Sequence, residues 1–326
     1  MRSDAELLLL DKTTVETLLQ PDHVLTAVSD AFDLHHRAAG RVFPVIREPL
    51  STGGVFGIKA GDVAGEALLG FKAAGFWPAN REQGGEPHQA TVMLIDPATG
   101  RPRCVIDGNA ITTLRTGAAG GLGLRALARP DSQRVCVFGT GVQARIQLDF
   151  ALRMLPSITT VHYIGSDRTA GAANDAFEAP FRTRCAISPA TDANAAVADA
   201  DIVITATPGG RVLFDASAVQ PGTHINAVGA DTQGKRELPD GLLARTRLVV
   251  DDREQARRIG EAQWAPEQEC VELGELLAAP ASFVRAREDI TVFDMTGLAL
   301  QDLTVARMLV ERAKAVGVGT RVAWPW

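Results

Sequence analysis

The sequence predicts an α/β fold: a doubly wound parallel sheet, with a second α+β domain that is discontinuous in sequence. Three observations carry this. From about residue 110, short apolar runs alternate with helical patterns, the rhythm of a doubly wound sheet. Between residues 42 and 110, apolar runs are instead separated by Gly, Pro and Asp, as in antiparallel strands. The last helical stretch, Leu303 to Ala315, is expected to return to the first domain. The expected division is 1–115, 116–300 and a returning segment 301–326.

The elements follow in order. Thr13-Thr14-Val15-Glu16 has capping-box spacing and predicts a short helix. After Pro21, Val24, Val28, Ala31, Phe32 and His35 fall on one helical face. Ala90 to Ile95 reads as a strand, and Asp96-Pro97-Ala98-Thr99-Gly100 as the hairpin turn that ends it. Ala118 to Ala128, small residues and Leu, reads as a helix, and Arg134 to Phe138 as a buried strand. Further strands are expected at 160–164, 201–206, 224–228, 248–251 and 290–293, and a helix in the Ala-rich stretch 189–200.

Composition bounds the function. The chain has 326 residues, 46% hydrophobic and 22% charged, enough for a large core without disulfide or metal staples. A net charge of −6 with both signs interspersed argues against nucleic-acid or membrane-surface binding. Cys104, Cys136, Cys185 and Cys270 are isolated and read as small hydrophobes, with no metal-ligand spacing. The acidic start lacks a signal peptide's apolar stretch, so a cytoplasmic location is the default expectation.

Gly139-Thr140-Gly141-Val142-Gln143-Ala144 follows a strand directly and precedes a helix-forming run. That is the context a GxGxxA nucleotide loop requires. Gly139 allows the tight turn, Gly141 lets backbone approach a pyrophosphate, and Ala144 keeps the helix close to the sheet. The helix N-terminus supplies N–H groups for the phosphates. An ordinary glycine turn is the bland alternative, outweighed here because strand, loop and helix agree. The prediction is a Rossmann-like domain binding NAD or NADP. After the second strand, Asp167 would bond the adenosine ribose of NAD, whereas Arg168 with Ser166 would suit the 2′-phosphate of NADP. The two residues argue each way.

Further blocks stand around this loop: Phe71-Lys72 with Trp77-Pro78-Ala79-Asn80, and Thr112-Thr113-Leu114-Arg115-Thr116. Later come Asn226 to Asp231 with Gly234 to Leu238, and Phe293 to Ala299. Together and in this order, over roughly residues 20–320, they resemble the ornithine cyclodeaminase/mu-crystallin family. The resemblance implies a homodimer in which one domain carries the substrate and the dimer contact and the other is Rossmann-like. It implies that Arg47, Lys72 and Arg115 surround a substrate carboxylate, with Asp231 across the pocket. It adds cofactor contacts from Thr116, Thr207, Val228, Gly229 and Gly297.

These residue types suit hydride chemistry at an α-carbon. An Arg fork grips a carboxylate bidentately and fixes its plane, which favours Arg115 at what reads as a helix start. Lys72 can take a proton from an α-amine if burial and neighbouring cations lower its pKa. Asp231 can orient that amine or accept a proton from it. Singly, each would be a solvated charge or a turn residue. His35 and His224 read as structural, Trp77 as either pocket lining or core, and Asp251-Asp252 as an acidic turn.

Three activities fit. The foremost is net oxidoreduction of a small α-amino or cyclic α-imino acid. The second is redox-neutral cyclodeamination of ornithine or a related diamino acid, with ammonia release. The third is a non-enzymatic, crystallin-like binding role. In ornithine cyclodeaminases a carboxylate-bearing strand precedes the lysine motif; the matching stretch Val55 to Gly61 has Gly57 there, with Lys59 two residues on. On a strand those two share a face. Lys59 would then repel a diamine and favour a substrate with no positive tail or with a second carboxylate.

Overall fold

A computed structural model describes residues 5–165, 172–208 and 210–324. Its first elements are β1 (Glu6–Leu10), α1 (Lys12–Leu18), α2 (Pro21–His36), β2 (Gly40–Val42), β3 (Ile46–Pro49), β4 (Val55–Val63), β5 (Leu68–Phe76), β6 (His88–Ile95), β7 (Pro102–Asp107) and α3 (Asn109–Leu127). Then come β8 (Arg134–Phe138), α4 (Val142–Met154), β9 (Thr160–Ile164), α5 (Ala172–Glu178), β10 (Ala186–Pro189), α6 (Ala193–Ala198), β11 (Ile202–Thr205) and β12 (His224–Ala227). The chain ends with β13 (Thr246–Val250), α7 (Arg253–Ile259), β14 (Cys270–Glu272), α8 (Leu273–Ala278), β15 (Ile290–Asp294), α9 (Ala299–Val316) and β16 (Thr320–Ala323). Two compact units result: Met1–Arg115 with Leu298–Trp326, and Thr116–Gly297.

The first unit is built on one sheet of order β16-β1-β7-β6-β5-β4-β2, with β3 also paired to β4. Its pairings are antiparallel except β1 with β7. The Asp96–Gly100 turn joins β6 to β7, closed by the Asp96 N–H to the Arg101 carbonyl at 2.8 Å, with Gly100 at φ +72°. α9 packs on β4 and β5 and against α2. Glycine makes that approach possible: a Cβ on Gly70 would lie 2.9 Å from the Leu303 side chain. Gly70, Lys72, Ala74 and Phe76 alternate onto the same face of β5.

The second unit holds a wholly parallel sheet of order β10-β9-β8-β11-β12-β15-β13-β14. β11, β12 and β15 are buried along their whole length, so none shows the polar/apolar alternation of a half-exposed strand. The strand order reverses between β8 and β11, and the GxGxxA loop leaves β8 at that switch point. His224 is structural, as expected. It is fully buried between Thr291 Oγ1 (2.8 Å) and Asn226 Oδ1 (2.9 Å), and burial lowers its pKa to about 3.

Several local expectations need correction. Asp11, not Thr13, caps α1, because its carboxylate accepts the Thr14 N–H at 2.8 Å and an anion suits a helix N-terminus. α3 starts at Asn109, whose N–H reaches Asp107 Oδ1 (3.2 Å), so Arg115 stands in its second turn rather than at its start. Only 193–198 of the Ala-rich stretch is helical: Asp192 caps it, and 186–189 pairs with β9 as a strand. The edge strand β14 is additional. Cys104 and Cys136 are buried, whereas Cys185 and Cys270 are half-buried, and all four are free thiols. No described helix is long and apolar enough to cross a membrane.

Candidate functional site

The first unit gathers charge on one face of its sheet. Lys72 and Asp302 are 4% and 1% exposed, and Lys72 Nζ lies 2.8 Å from Asp302 Oδ1. The same oxygen accepts from Arg115 Nε at 3.2 Å, while Arg115 Nη1 reaches Gln301 Oε1 at 3.3 Å. Those bonds use two of the guanidinium's five N–H donors. Asp302 Oδ2 and Gln301 Nε2 are buried with no hydrogen-bond partner.

Register places the other cations. Lys59 stands directly opposite Lys72 in the β4–β5 ladder, so both side chains leave the same face. Arg47 stands opposite Gly57 and therefore shares it. A Cβ at Gly57 would lie 2.8 Å from the Ile46 carbonyl and 3.8 Å from Arg47 Cδ. β3 and the Arg47 side chain thus occupy the space a longer residue would need. His88 also points to this face, from β6.

The electrostatics follow from burial and these neighbours. Desolvation, then Arg115, and more weakly Lys59, bring Lys72 down to about 7, against the opposing pull of Asp302. Burial pushes Asp302 up, but Lys72 and Arg115 outweigh it and hold its carboxyl below the ordinary value. Burial, with Lys72 and Arg115, depresses His88 to about 4, so it is neutral near pH 7. Trp77 packs its indole over Gly54 and Gly75, where a Cβ would fall within 2.7 Å of the ring at either position.

In the second unit the nucleotide loop fits a dinucleotide. Gly139 has φ +101°, a left-handed conformation that glycine adopts freely, and a Cβ there would lie 2.6 Å from the Ala206 carbonyl. A Cβ at Gly141 would meet nothing within 4 Å, so the space in front of the loop is open. The first bond within α4 is Arg145 N–H to the Gly141 carbonyl at 3.0 Å, which leaves the preceding N–H groups without an acceptor inside the helix. Gln143 Oε1 is buried and unpartnered, Val142 is 63% exposed, and Ala144 is fully buried against the sheet. Thr140, Thr116, Thr207, Val228, Gly229 and Gly297 belong to this unit too. Asp167 and Arg168 lie outside the described residues.

Asp231 sits in the loop after β12, with Lys235 Nζ at 2.7 Å and Thr232 Oγ1 at 3.1 Å from its Oδ1. Asp251, read from sequence as an acidic turn, does more: Oδ1 accepts from Thr296 Oγ1 (2.6 Å) and Oδ2 from the Gly297 N–H. Sequence reasoning missed Asp302, Gln301, His88 and Glu237. A signal existed for Asp302: it is a carboxylate on the apolar face of α9, between Ala299 and Ala306. For His88 there was none.

The model of the ornithine cyclodeaminase/mu-crystallin family matches residues 5–317. The chain is 33% identical to the alanine dehydrogenase of Archaeoglobus fulgidus, over 97% of this chain and 98% of that one. A solved archaeal alanine dehydrogenase dimer with bound NAD superposes with a TM-score of 0.90 at 32% identity, covering 98% of this chain and 100% of that one. The iminosuccinate reductase of Paracoccus denitrificans is 33% identical over 97% of this chain and 99% of its own. The Delta(1)-pyrroline-2-carboxylate reductase of Thermococcus litoralis, solved with NADH and L-proline, gives a TM-score of 0.87 at 28% identity, covering 97% of this chain and 100% of that one. Sheet topology, nucleotide loop and nearly full-length similarity agree: the chain belongs to the ornithine cyclodeaminase/mu-crystallin family.

Proposed function

We propose that the protein is an NAD(P)-dependent oxidoreductase that interconverts a small α-amino acid and the corresponding α-imino acid, cyclic or open. The observation that carries this is the buried cluster of Lys72, Asp302 and Arg115, in which Lys72 is brought down to about 7. A lysine poised there exchanges a proton near neutral pH. The dinucleotide, when bound, takes up or returns a hydride at the substrate α-carbon. The guanidinium donors of Arg115 not used by Asp302 and Gln301 grip the substrate carboxylate, and Arg47 adds charge from the same sheet face as Lys72. Neutral Lys72 takes the proton that leaves the amine on oxidation and returns it on reduction. Asp302 holds Lys72 Nζ and Arg115 Nε on one oxygen and so fixes their separation. Asp231 orients the substrate nitrogen. The relatives known as alanine dehydrogenase and iminosuccinate reductase support this class.

Lys59, by its placement, supports a substrate other than ornithine. It faces the same side as Lys72, and Gly57 offers no carboxylate to a distal ammonium. At ~5 Å, with an effective dielectric of ~20, like-charge repulsion costs about 3 kcal/mol, on the order of 10²-fold in binding. We further propose a cytoplasmic homodimer. The opposite sheet face is apolar where water would favour polar residues: Phe56, Ile58, Phe71, Met93 and Val105 are half-buried and Ile46 is exposed. A subunit-sized partner would cover it, as in the relative described as a dimer.

The test is a panel of amino and imino acids with NAD⁺, NADH and NADPH, reading nicotinamide absorbance and ammonia together. Absorbance change with alanine-like, dicarboxylic or pyrroline-2-carboxylate substrates is expected. Rapid proline and ammonia from ornithine with catalytic NAD⁺, without absorbance change, would return cyclodeamination to first place. Gly141→Trp fills the open space at the loop and should abolish dinucleotide binding in a folded protein, measured by calorimetry.

A further inference from the structure

One buried carboxylate of the second unit is unused by the mechanism above. Glu237 is fully buried, and among the described residues no cation pairs with it; instead the Thr207 N–H and hydroxyl and the Gly229 N–H, from two loops, converge on its two oxygens. Oε1 accepts the Thr207 N–H at 2.7 Å and the Thr207 hydroxyl at 2.6 Å. Oε2 accepts the Gly229 N–H at 2.8 Å. Thr207 follows β11 and Gly229 follows β12, so a single side chain ties the exits of two neighbouring strands. The fit is close: a Cβ at Gly229 would lie 2.5 Å from either oxygen.

The strap is anchored from behind. Glu237 donates its own N–H to Glu261 Oε1 at 2.6 Å, and its carbonyl accepts the Leu213 N–H at 3.0 Å. Asp294, at the end of β15, accepts the Ala262 N–H at 2.9 Å and fixes the turn that carries Glu261. Carboxyl to backbone, the bonds run without a gap from β15 to the exits of β11 and β12.

The consequence lies on the other side of each peptide. The described chain has no cis peptide bond, and in a trans peptide the carbonyl points opposite to the N–H. With the Thr207 N–H drawn onto Glu237, the Ala206 carbonyl is turned outward, and it meets Gly139, where a Cβ would lie 2.6 Å from it. With the Gly229 N–H drawn in likewise, the Val228 carbonyl is turned away from Glu237 as an acceptor at the strand exit. All of these positions lie at the carboxyl ends of adjacent parallel strands, where ligands bind in doubly wound sheets.

We infer that Glu237 is a positioning residue for the dinucleotide: its carboxylate holds the exits of β11 and β12, and through Ala206 the first glycine of the phosphate loop, in the shape that receives the cofactor. This rests on the reading that a dinucleotide occupies that edge. Glu237→Gln keeps the size but replaces one acceptor with an NH₂ that must face an N–H. NADH fluorescence titration of the folded variant should show a Kd raised about tenfold or more, as expected for a lost charge-assisted bond. At saturating cofactor, KM for the amino or imino acid should change less than about twofold, because uniform substrate binding is untouched. Glu237→Asp, which keeps the charge but shortens the reach, should fall between. A Kd within twofold of the parent, with only the melting temperature lowered, would reduce Glu237 to a structural role and overturn the inference. Should neither variant fold, amide exchange of the unaltered protein decides. Thr207 and Gly229 must gain protection on adding NADH, and unchanged exchange there overturns the inference. Failure of the parent to bind any dinucleotide would instead refute the functional reading beneath it.

Discussion

Each unit buries a cluster of ionisable groups, and the two are built on opposite principles. In the first, Asp302 meets two cations, Lys72 and Arg115, and its carboxyl is held below the ordinary value. In the second, Glu237, Glu261 and Asp294 meet backbone N–H groups, and all three are pushed up, burial being the main cause. A cation-rich cluster around one carboxylate is suited to receive an anion and move a proton. Acids bonded to loop backbone are suited to hold loops. On the proposed function, the difference separates chemistry on strand faces from ligand binding by the backbone at strand ends.

Breaking the first cluster should cost most. Lys72→Met removes the proposed proton acceptor while keeping the apolar stem, and kcat/KM should fall by about 10³-fold or more, the upper part of the usual range for a general base. Steady-state rates at saturating NAD⁺ measure it; a loss under tenfold would move the proton transfer elsewhere. Arg115→Lys comes next. A point charge cannot reproduce a planar fork, and a loss of about 10²-fold in kcat/KM is expected, mostly in the carboxylate-binding step. Near-parental kinetics would take Arg115 out of the site.

Asp302→Asn sharpens the comparison because it alters the charge of Lys72 without touching it. On the proposed mechanism amino-acid oxidation needs neutral Lys72, so kcat/KM should rise with pH through about 7 in the parent. Asp302 favours the ammonium; without it, the acid limb should move to lower pH by about one unit or more. A limb that stays in place while activity falls would make Asp302 a packing residue only.

How much of this was legible in the sequence differs between the units for the same physical reason. The parallel sheet announces itself through buried strands of Val, Ile and Phe and through a glycine loop whose spacing is fixed by backbone geometry. Lys72, Arg115 and Arg47 were legible only through the resemblance to a family's motifs in series, since a single Lys or Arg is ordinarily a surface charge. That Lys59 shares a face with Lys72 depends on register between β4 and β5, which Gly, Pro and turn signals do not specify. Asp302 and Glu237 were missed because partners that mark a buried carboxylate are distant in sequence: Lys72 lies 230 residues from Asp302 and Thr207 lies 30 from Glu237, leaving for Asp302 only the local signal of its apolar helix face. Helix starts failed where a nearby carboxylate competed for the cap, as Asp11 did with Thr13.

The smallest expected effect tests the contrast directly, through stability. Glu261 is raised from 4.5 to about 8, by burial first and then by the charges of Asp294 and Glu237. Between those values the unfolded chain binds fewer protons than the folded one, so stability is fully present below 4.5 and declines as pH rises through about 8. Lys72 runs the other way. Its value is lowered from 10.5 to about 7, so the folded state binds fewer protons in that window and stability rises with pH across it. Glu261→Gln keeps an oxygen that can accept the Glu237 and Leu238 N–H groups, at 2.6 and 3.3 Å in the parent, but cannot titrate. Its melting temperature should therefore decline less between pH 4.5 and about 8 than the parent's. A difference of ~2 °C or more across the window is expected, equivalent to about 1 kcal/mol in a chain of this size. Lys72→Met should lose the opposite slope, the rise above about 7. Scanning calorimetry from acid to alkaline pH reads both; parallel curves for parent and Glu261→Gln would mean that Glu261 titrates as an ordinary carboxylate and that the two clusters do not differ in kind.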